Sequence, residues 1–377
     1  MQQLPKLAID GTIDIASSNH SQRRDGHGAF RYFGKLAPDV TGHVLDLARD
    51  LLGEVNGLVV DVMCGSGTTL VEAVARGWNS VGFDVNPVGI AYASAKVTQV
   101  DHKAYLAALT AILRAETPSQ DEVRSLFAST RNADRWFTAH AQSEIARLRL
   151  AVDKVASPPE RVLLLCSLLS RLRRASNASA RTGRLFYDPD SAVADIAGDF
   201  EATARTALDW VPSERLDAAV GLADARRLPL PDRAATLTFC HPPYFALYRY
   251  SADVLRFELE IGGWSRVKIN RNEIVEGWKS GDTGLLDGYI RDMGAVFREA
   301  ARVTRAGGVF ALVASNSTLG DVQLPVIDRL ADAAVRERLV IHSHFERVAH
   351  HGSAKYHRSA RSDKVINQDH VLIFKVE

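Results

Sequence analysis

Short apolar runs alternate with amphipathic segments in the first hundred residues. Residues 38–53 place apolar side chains at helical spacing, between a proline near the start and a glycine at the end. Residues 57–63 are a short, continuous apolar run, which is typical of a strand buried on both faces of a parallel sheet. A glycine loop follows, then a predicted helix over 68–76, a strand over 79–84 and a helix over 87–96. This order predicts a right-handed parallel strand–helix–strand unit.

The same alternation returns in the second half of the chain. The predicted strands are 216–220, 234–240, 309–314, 339–345 and 370–376, and the predicted helices are 286–302 and 322–338. The last two strands are joined by a basic loop, and we interpret them as an antiparallel hairpin at the edge of the sheet. Between the two alternating halves, residues 101–215 are mostly helical in pattern.

One doubly wound α/β domain that carries a helical insertion fits this pattern better than two independent domains. Residues 1–100 are predicted to form an N-terminal segment and the first half of the sheet, and residues 216–377 the second half. The insertion, residues 101–215, is a candidate region for recognising a partner.

Composition adds bounds to this prediction. The 377 residues are 46% hydrophobic and 24% charged, which is ordinary globular composition. The three cysteines are odd in number and widely spaced, which favours a reducing, cytoplasmic setting over a disulfide framework or a zinc site. No apolar stretch reaches the roughly 18 residues that a membrane span needs. We therefore expect a soluble protein that is not targeted to a membrane and binds no metal.

Basic residues cluster at three places, although the formal net charge is only +1. The clusters lie in residues 23–35, 161–184 and 347–364. The candidate contacts to a nucleic acid are Arg171, Arg173, Arg174, Arg249, Lys355 and Arg358. Any one cluster could equally be a solvated face, so a polyanionic partner is favoured only if the fold brings the clusters together.

A glycine loop after the first buried strand suits a nucleotide-like ligand. Its residues are Asp61, Cys64, Gly65, Ser66, Gly67 and Thr68. Glycines let the backbone approach a ligand closely, and the start of the next helix presents free amides. The loop has no lysine for a phosphate-binding P-loop, and Leu70 stands where a dinucleotide-binding loop has its third glycine.

Asp84, at the end of the next strand, could accept both hydroxyls of a ribose. Asp224, after the third strand, or the amide that follows it, could meet an adenine edge.

Four segments in this order resemble the amino-group DNA methyltransferases that use S-adenosylmethionine, the N4-cytosine and N6-adenine class. The segments are DVMCGSGTTLVEA, GFDVNP, GLADARRLP and HPPY. The glycine motif of that family typically has Pro and Phe where this sequence has Val62 and Met63. The resemblance implies a Rossmann-like methyltransferase fold and covers the two alternating halves of the chain.

The resemblance also implies a cofactor site and a substrate. Asp61 and the loop from Cys64 to Gly67 would hold the methionine part of S-adenosylmethionine, Asp84 the ribose and Asp224 the adenine. The neighbouring positions Tyr32, Thr68, Asn86 and Ala225 complete the implied cofactor site, of which Tyr32 lies in the loosely matching stretch 30–36. The implied substrate is duplex DNA with a flipped target base, in a restriction–modification setting where cleavage would need a separate nuclease.

The segment His241-Pro242-Pro243-Tyr244 would act on the target base. An exocyclic amino nitrogen is a poor nucleophile because its lone pair is delocalised, so its hydrogens must be held with the lone pair directed at the methyl group. The resemblance implies that the first side chain and the carbonyl of Pro242 accept these hydrogens and that the ring of Tyr244 stacks on the base. Prolines suit the position because their φ is fixed and they carry no N–H.

His241 departs from the family, which has Asp, Asn or Ser at this position. A neutral imidazole has one acceptor nitrogen, whereas an imidazolium has none. Our hypothesis is that neutral His241 accepts an amino hydrogen. The alternative is a histidine bonded to backbone at the end of a strand, with Pro242 and Tyr244 sufficient for the reaction. The departure leaves cytosine and adenine open as targets.

Two other functions stay open on the sequence. Structured RNA could replace DNA as the substrate, since some RNA guanine methyltransferases share a similar glycine loop and an Asp-Pro-Pro-Tyr segment. The chain could also be a non-catalytic nucleic-acid-binding relative, given the histidine at the first catalytic position. The intact glycine loop, Asp84 and Asp224 argue against this last interpretation.

Overall fold

An eight-stranded sheet forms the centre of the fold. The computed structural model describes residues 7–15, 26–32, 34–53, 56–179, 185–245, 250–274, 284–319, 322–348 and 368–377. The strands are β1 (Gly11–Ile13), β2 (Leu58–Asp61), β3 (Asn79–Asp84), β4 (Ala218–Leu222), β5 (Ala235–Cys240), β6 (Thr304–Ser315), β7 (Ser317–Leu319), β8 (Val322–Leu324), β9 (Leu339–Val348) and β10 (Gln368–Val376). Strands β7 and β8 form a separate antiparallel pair.

The strand order in the main sheet is β1-β9-β10-β6-β5-β2-β3-β4. Strands β6, β5, β2, β3 and β4 run parallel to one another, and β10 runs antiparallel to both β6 and β9. The predicted doubly wound, mostly parallel α/β fold and the antiparallel C-terminal pair are therefore confirmed. The sequence did not predict β1, which pairs parallel to β9 and lies outside the pair. Three residues are too few to give a periodic pattern.

Helices cover both faces of the sheet. They are α1 (Pro38–Leu52), α2 (Thr68–Val74), α3 (Pro87–Val97), α4 (His102–Leu113), α5 (Gln120–Phe127), α6 (Ala133–Trp136), α7 (Ala139–Asp153), α8 (Pro158–Leu169), α9 (Ile196–Leu208), α10 (Arg256–Gly262), α11 (Arg266–Asn272), α12 (Gly284–Val303) and α13 (Val326–Arg336). A π-helix spans Tyr250–Val254.

The core lies on both sides of the central strands, as their continuous apolar pattern predicts. In β2, Val59 packs in the cluster with α1, and Val60 packs in the cluster with α12 and α13. Each of these two residues is at most 1% exposed to solvent. The predicted helix over 322–338 was wrong in its first part, because β8 occupies residues 322–324 and α13 begins at Val326.

Residues 101–215 contain helices α4 to α9, which share a third cluster with α3. The Tyr105 hydroxyl donates to the carbonyl of Ala204 at 2.9 Å, and Nε of Arg149 donates to the carbonyl of Ile261 at 3.2 Å. The first hydrogen bond joins α4 to α9, and the second joins α7 to α10. Within the described ranges, no helix is both long enough and apolar enough to cross a membrane.

Candidate active site

A cavity of about 380 Å³ opens where the carboxyl ends of the parallel strands β2, β3 and β5 meet. Carboxyl ends of strands in an open α/β sheet are the usual place for a ligand. Of the residues predicted from sequence, those that line the cavity are Tyr32, Asp61, Cys64, Gly65, Ser66, Thr68, Asp84, Asn86, Asp224, Ala225, His241 and Pro243. Gly67, Pro242 and Tyr244 adjoin this lining in the sequence but are not part of it. All four sequence motifs are thus brought to one cavity.

The glycine loop has the backbone that its sequence requires. Gly65 has φ +49° and Gly67 has φ +78°, a region that side chains with a Cβ rarely adopt. A Cβ on Gly65 would lie 3.1 Å from the ring of Tyr32. The segment around Tyr32 therefore lies directly over the loop, although only a loose sequence match connected the two.

Asp84 holds the loop in place through backbone donors. Its Oδ2 accepts the N–H of Gly65 at 2.9 Å, and its Oδ1 accepts the N–H of Asn86 at 2.8 Å. Burial nevertheless raises the pKa of Asp84 to about 6 and that of Asp61 to about 7, where the nearby Asp84 charge also contributes. A cationic ligand between these carboxyl groups would favour their ionised forms.

Two buried polar atoms in the lining have no hydrogen-bond partner among the described residues. They are Oγ1 of Thr68 and Nδ2 of Asn86. Buried polar groups are almost always hydrogen-bonded in native proteins. The two atoms therefore indicate a polar ligand in this cavity, one acceptor of which would meet the Asn86 amide.

The buried Lys96 and the half-buried Lys35 lie near the glycine loop, and neither was a predicted site residue. Nζ of Lys96 donates to Oγ of Ser66 at 3.3 Å. Lys35 lines the cavity and donates to the carbonyl of His27. Burial lowers the pKa of both ammonium groups. An anionic group near Ser66 would therefore be electrostatically favourable. No sequence motif distinguishes Lys96 from the other residues of its helix.

Asp224 forms an ion pair with Arg226, which belongs to the same sequence motif. Nη2 of Arg226 donates to Oδ2 of Asp224 at 2.7 Å, and Nη1 of Arg226 donates to Asp292 at 3.2 Å. Burial alone would raise the pKa of Asp224, but the hydrogen bonds from Arg226 lower it. The carboxylate can therefore orient the turn, while the backbone of Ala225 also lines the cavity.

His241 and Tyr244 bond to each other at the end of β5. Nε2 of His241 lies 3.1 Å from the Tyr244 hydroxyl, and the two rings meet edge to face. The Tyr244 hydroxyl in turn donates to Oδ1 of Asp369 at 2.8 Å. Burial lowers the pKa of His241 to about 4. The imidazole is therefore neutral near pH 7, as the sequence hypothesis requires, and its recorded partner is a side chain instead of backbone.

A further part of the cavity wall comes from the π-helix and the end of α11, and none of its residues was a predicted site residue. Its residues are Tyr250, Ala252, Asn270, Asn272, Glu273 and Ile274. The rings of Tyr250 and Tyr32 stack with centroids 6.2 Å apart. Glu273 accepts from the N–H of Ser251 at 2.9 Å, and burial raises the pKa of Glu273 to about 7. The only sequence signal here is a run of aromatics after the HPPY segment.

The basic cluster of the helical segment has partners that a local charge count misses. Arg171 makes two 2.8 Å hydrogen bonds to Asp199, and Arg174 lies 3.4 Å from the same carboxylate. Arg173 is 6% exposed and donates to the carbonyl of Val254. The prediction that Arg173 contacts nucleic acid is therefore wrong, because its guanidinium is buried. Arg249, Lys355 and Arg358 lie outside the described residues.

Comparisons with known proteins give a consistent picture. No family model matches the sequence. The type II methyltransferase M.MjaII of Methanocaldococcus jannaschii is 31% identical over 96 residues, which are 26% of this chain and 17% of that protein. M.MvaI of Kocuria varians is 20% identical over 192 residues, 49% of this chain and 42% of that protein. The predicted resemblance to DNA methyltransferases is confirmed. The matches span less than half the length of either of these relatives.

Two solved structures are similar to this chain over most of its length. A geranyl diphosphate C-methyltransferase of Streptomyces coelicolor A3(2) is 10% identical, with 90% of this chain and 79% of that chain covered and a TM-score of 0.37. TrmN of Thermus thermophilus is 12% identical, with 95% and 53% covered and a TM-score of 0.37.

Compared with the glycine motif of the DNA methyltransferases that the sequence resembles, this chain departs at Val62 and Met63. Val62 is 1% exposed and packs in the cluster with α12. Its N–H donates to the carbonyl of Phe239 at 3.1 Å, a hydrogen bond that a proline at this position would lack. The substitution therefore extends the pairing of β2 with β5 by one bond.

Proposed function

We propose that this chain transfers a methyl group from S-adenosyl-L-methionine to the exocyclic amino group of cytosine or adenine in DNA. The observation that carries the proposal is the common cavity at the ends of β2, β3 and β5. It joins the glycine loop, Asp84, Asp224 and His241, which are separated by up to 180 residues in the sequence. S-adenosylmethionine supplies an electrophilic methyl group on a positively charged sulfur.

The residues of the cavity fit the charges of that cofactor. Asp61 and Glu273 would face its cationic groups, and Asp84 would accept its ribose hydroxyls. The raised pKa values of all three carboxyl groups would return toward normal when the cation binds nearby. Lys35 in the lining, and Lys96 behind Ser66, suit its carboxylate. The unpartnered Nδ2 of Asn86 offers a hydrogen-bond donor for an adenosine acceptor.

The end of β5 would hold the target base. His241 lines the cavity as a neutral imidazole and can accept one amino hydrogen. The carbonyl of Pro242 would accept the other. The Tyr289 hydroxyl donates to the carbonyl of Pro243 at 3.1 Å, which fixes the Pro-Pro turn. The amino lone pair would then be free to point at the methyl group.

The helical segment of residues 101–215 is, on this proposal, the region that contributes sequence-specific DNA contacts, and a separate nuclease would complete a restriction–modification pair. Arg171 is held by Asp199 and Arg173 is buried, so the contacts would come from Arg174, whose side chain is 48% exposed, and from other exposed side chains of the segment. A flipped target base would enter between the end of β5 and α11.

The test is expression of the chain in a host that lacks DNA methylation, followed by mapping of modified bases by single-molecule sequencing. We expect one modified amino base in a fixed sequence context, and no modification with His241→Ala. Methyl transfer to RNA but not to DNA would overturn the DNA substrate. Failure to bind S-adenosylmethionine in calorimetry would favour a non-catalytic nucleic-acid-binding protein.

A further inference from the structure

Four side chains form a continuous hydrogen-bonded chain that ends at His241. Arg347 donates to Oδ2 of Asp369, and Oδ1 of Asp369 accepts from the Tyr244 hydroxyl at 2.8 Å. That hydroxyl lies 3.1 Å from Nε2 of His241. Asp369 and Arg347 are 8% and 9% exposed and stand opposite each other in β10 and β9. The chain thus connects the end of β5 with the C-terminal antiparallel strands.

The chemistry of these groups fixes the direction of every bond. A guanidinium only donates and a carboxylate only accepts, so the single proton of the Tyr244 hydroxyl goes to Asp369. The same hydroxyl can then only accept from Nε2 of His241. Nε2 therefore carries the imidazole proton, and Nδ1 is left as the acceptor. The tautomer of a histidine is assigned in this way, because the hydrogen-bond partner of each ring nitrogen determines which nitrogen carries the proton.

We propose that Asp369 and Arg347 are positioning residues, which hold His241 as the Nε2–H tautomer so that its Nδ1 accepts a hydrogen of the target amino group. The proposal rests on the proposed function for the identity of that substrate. It assigns a role to a carboxylate that lies 125 residues beyond Tyr244 in the sequence and is not part of any motif. It also explains how a histidine can replace the Asp, Asn or Ser of related motifs: the acceptor atom is supplied by tautomer control instead of by an oxygen.

Burial is consistent with this role. It lowers the pKa of His241, so the imidazole stays neutral at neutral pH even though Asp369 lies nearby and acts in the opposite direction. A neutral ring has one donor and one acceptor nitrogen, and only then does the choice between them matter. Without a neighbour that fixes it, the proton could sit on either ring nitrogen.

The substitution Asp369→Asn keeps the shape of the side chain but reverses the direction of the hydrogen bonds between Asp369, Tyr244 and His241. Arg347 requires an acceptor, so the amide oxygen of the new side chain faces Arg347 and its NH₂ group faces Tyr244. The Tyr244 hydroxyl must then accept from that NH₂ group and donate to Nε2 of His241. The imidazole proton moves to Nδ1, which changes from an acceptor to a donor. An Asp-to-Asn change that reverses a catalytic histidine tautomer lowers kcat by about 10⁴-fold in serine proteases.

The direct test is NMR of the full chain labelled with ¹⁵N-histidine, in which long-range ¹⁵N–¹H correlations distinguish the two tautomers. The His241→Asn variant identifies the signals of His241 among the 12 histidines. We expect protonated Nε2 and unprotonated Nδ1 in the wild type, and the reverse in Asp369→Asn. In a Tyr244→Phe background, which lacks the linking hydroxyl, Asp369→Asn should leave the tautomer unchanged. A wild-type proton on Nδ1, or no exchange of tautomer in Asp369→Asn, would overturn the proposal.

Kinetics supply a second readout. We expect Asp369→Asn to lower kcat by about 10²- to 10⁴-fold, the range of a lost acid–base group, with the KM for S-adenosylmethionine little changed. Asp209→Asn makes the same chemical change at the exposed end of α9 and should leave kcat unaltered. Because the NMR readout needs no substrate, the two proposals fail separately. A tautomer exchange without any methyl transfer contradicts the proposed function alone, and methyl transfer with an unchanged tautomer contradicts the positioning role alone.

Discussion

At the scale of single residues, three carboxyl groups line one cavity, of which Asp61 is buried and Asp84 and Glu273 are half-buried. Burial raises the pKa of Asp61 to about 7, of Asp84 to about 6 and of Glu273 to about 7. A cationic ligand would lower these pKa values, so binding should release protons. We predict that S-adenosylmethionine binds more tightly at pH 7.0 than at pH 5.5, a range below the ordinary pKa of its amino group, about 8. Calorimetry in two buffers with different ionisation enthalpies measures both the affinity and the released protons.

The same carboxyl groups make the ligand-free protein less stable as the pH rises. Their folded pKa values lie above the unfolded values, so the folded state binds more protons between about pH 4 and pH 7, and stability falls across that window. Asp84→Asn should weaken both the proton release and this slope. An affinity that does not change between pH 5.5 and 7.0 would contradict the cationic ligand.

His241 gives a second prediction at this scale. Asparagine keeps an acceptor oxygen near the end of β5, whereas alanine removes every acceptor. We predict that His241→Asn retains more kcat than His241→Ala, measured with saturating cofactor. Because the pKa of His241 is lowered to about 4, protonation of the ring should not limit the wild-type rate above about pH 5. Equal kcat values in the two variants would contradict a hydrogen-accepting role.

The sequence predicts residues of a motif better than residues that act from a distance. Asp61, Asp84 and His241 were predictable, because each ends a buried parallel strand and such ends converge. Asp369 and Arg347 were not, because their link to His241 exists only after β9 and β10 have paired. The buried state of Arg173 was missed for the same reason, since its contact at Val254 comes from a distant element.

At the scale of elements, the start of α2 depends on close packing against α3. A Cβ on Gly67 would lie 2.9 Å from the Cβ of Ala93, and φ at Gly67 is +78°. Gly53 has a similar φ of +69° at the end of α1, but a Cβ there would meet nothing within 4 Å. We predict that Gly53→Ala lowers the free energy of unfolding by about 1 kcal/mol through backbone strain alone. Gly67→Ala should cost about 1–3 kcal/mol more, because the helices must also separate.

Urea unfolding of the two variants measures the difference, since both carry the same substitution in the same backbone region. Equal losses would mean that α3 moves aside without cost. The glycine motif predicted this turn from sequence, but its packing partner in α3 has no sequence signature. Element boundaries show the same limit, since β1 and β8 are each three residues long and only their tertiary pairing defines them.

At the scale of the whole molecule, the formal net charge is only +1. Many of the described arginines form ion pairs with carboxylates. Arg171 and Arg174 share Asp199, and Arg226 is held by Asp224 and Asp292. On the proposed function, we expect most phosphate contacts to come from cations without a carboxylate partner. The prediction that Lys355 and Arg358 supply some of them stays a prediction, since both lie outside the described residues.

Salt dependence of DNA binding tests that prediction. Each lost phosphate contact reduces the slope of log K against log salt concentration by about 1. We predict that the double variant Lys355→Ala, Arg358→Ala lowers the slope by about 2 and weakens binding to all sequences alike. Arg171→Ala is the matched control, because its guanidinium already has a carboxylate partner and its removal should leave the slope unchanged. The reverse pattern, a slope that responds to Arg171 and not to the double variant, would place the phosphate contacts on the helical segment.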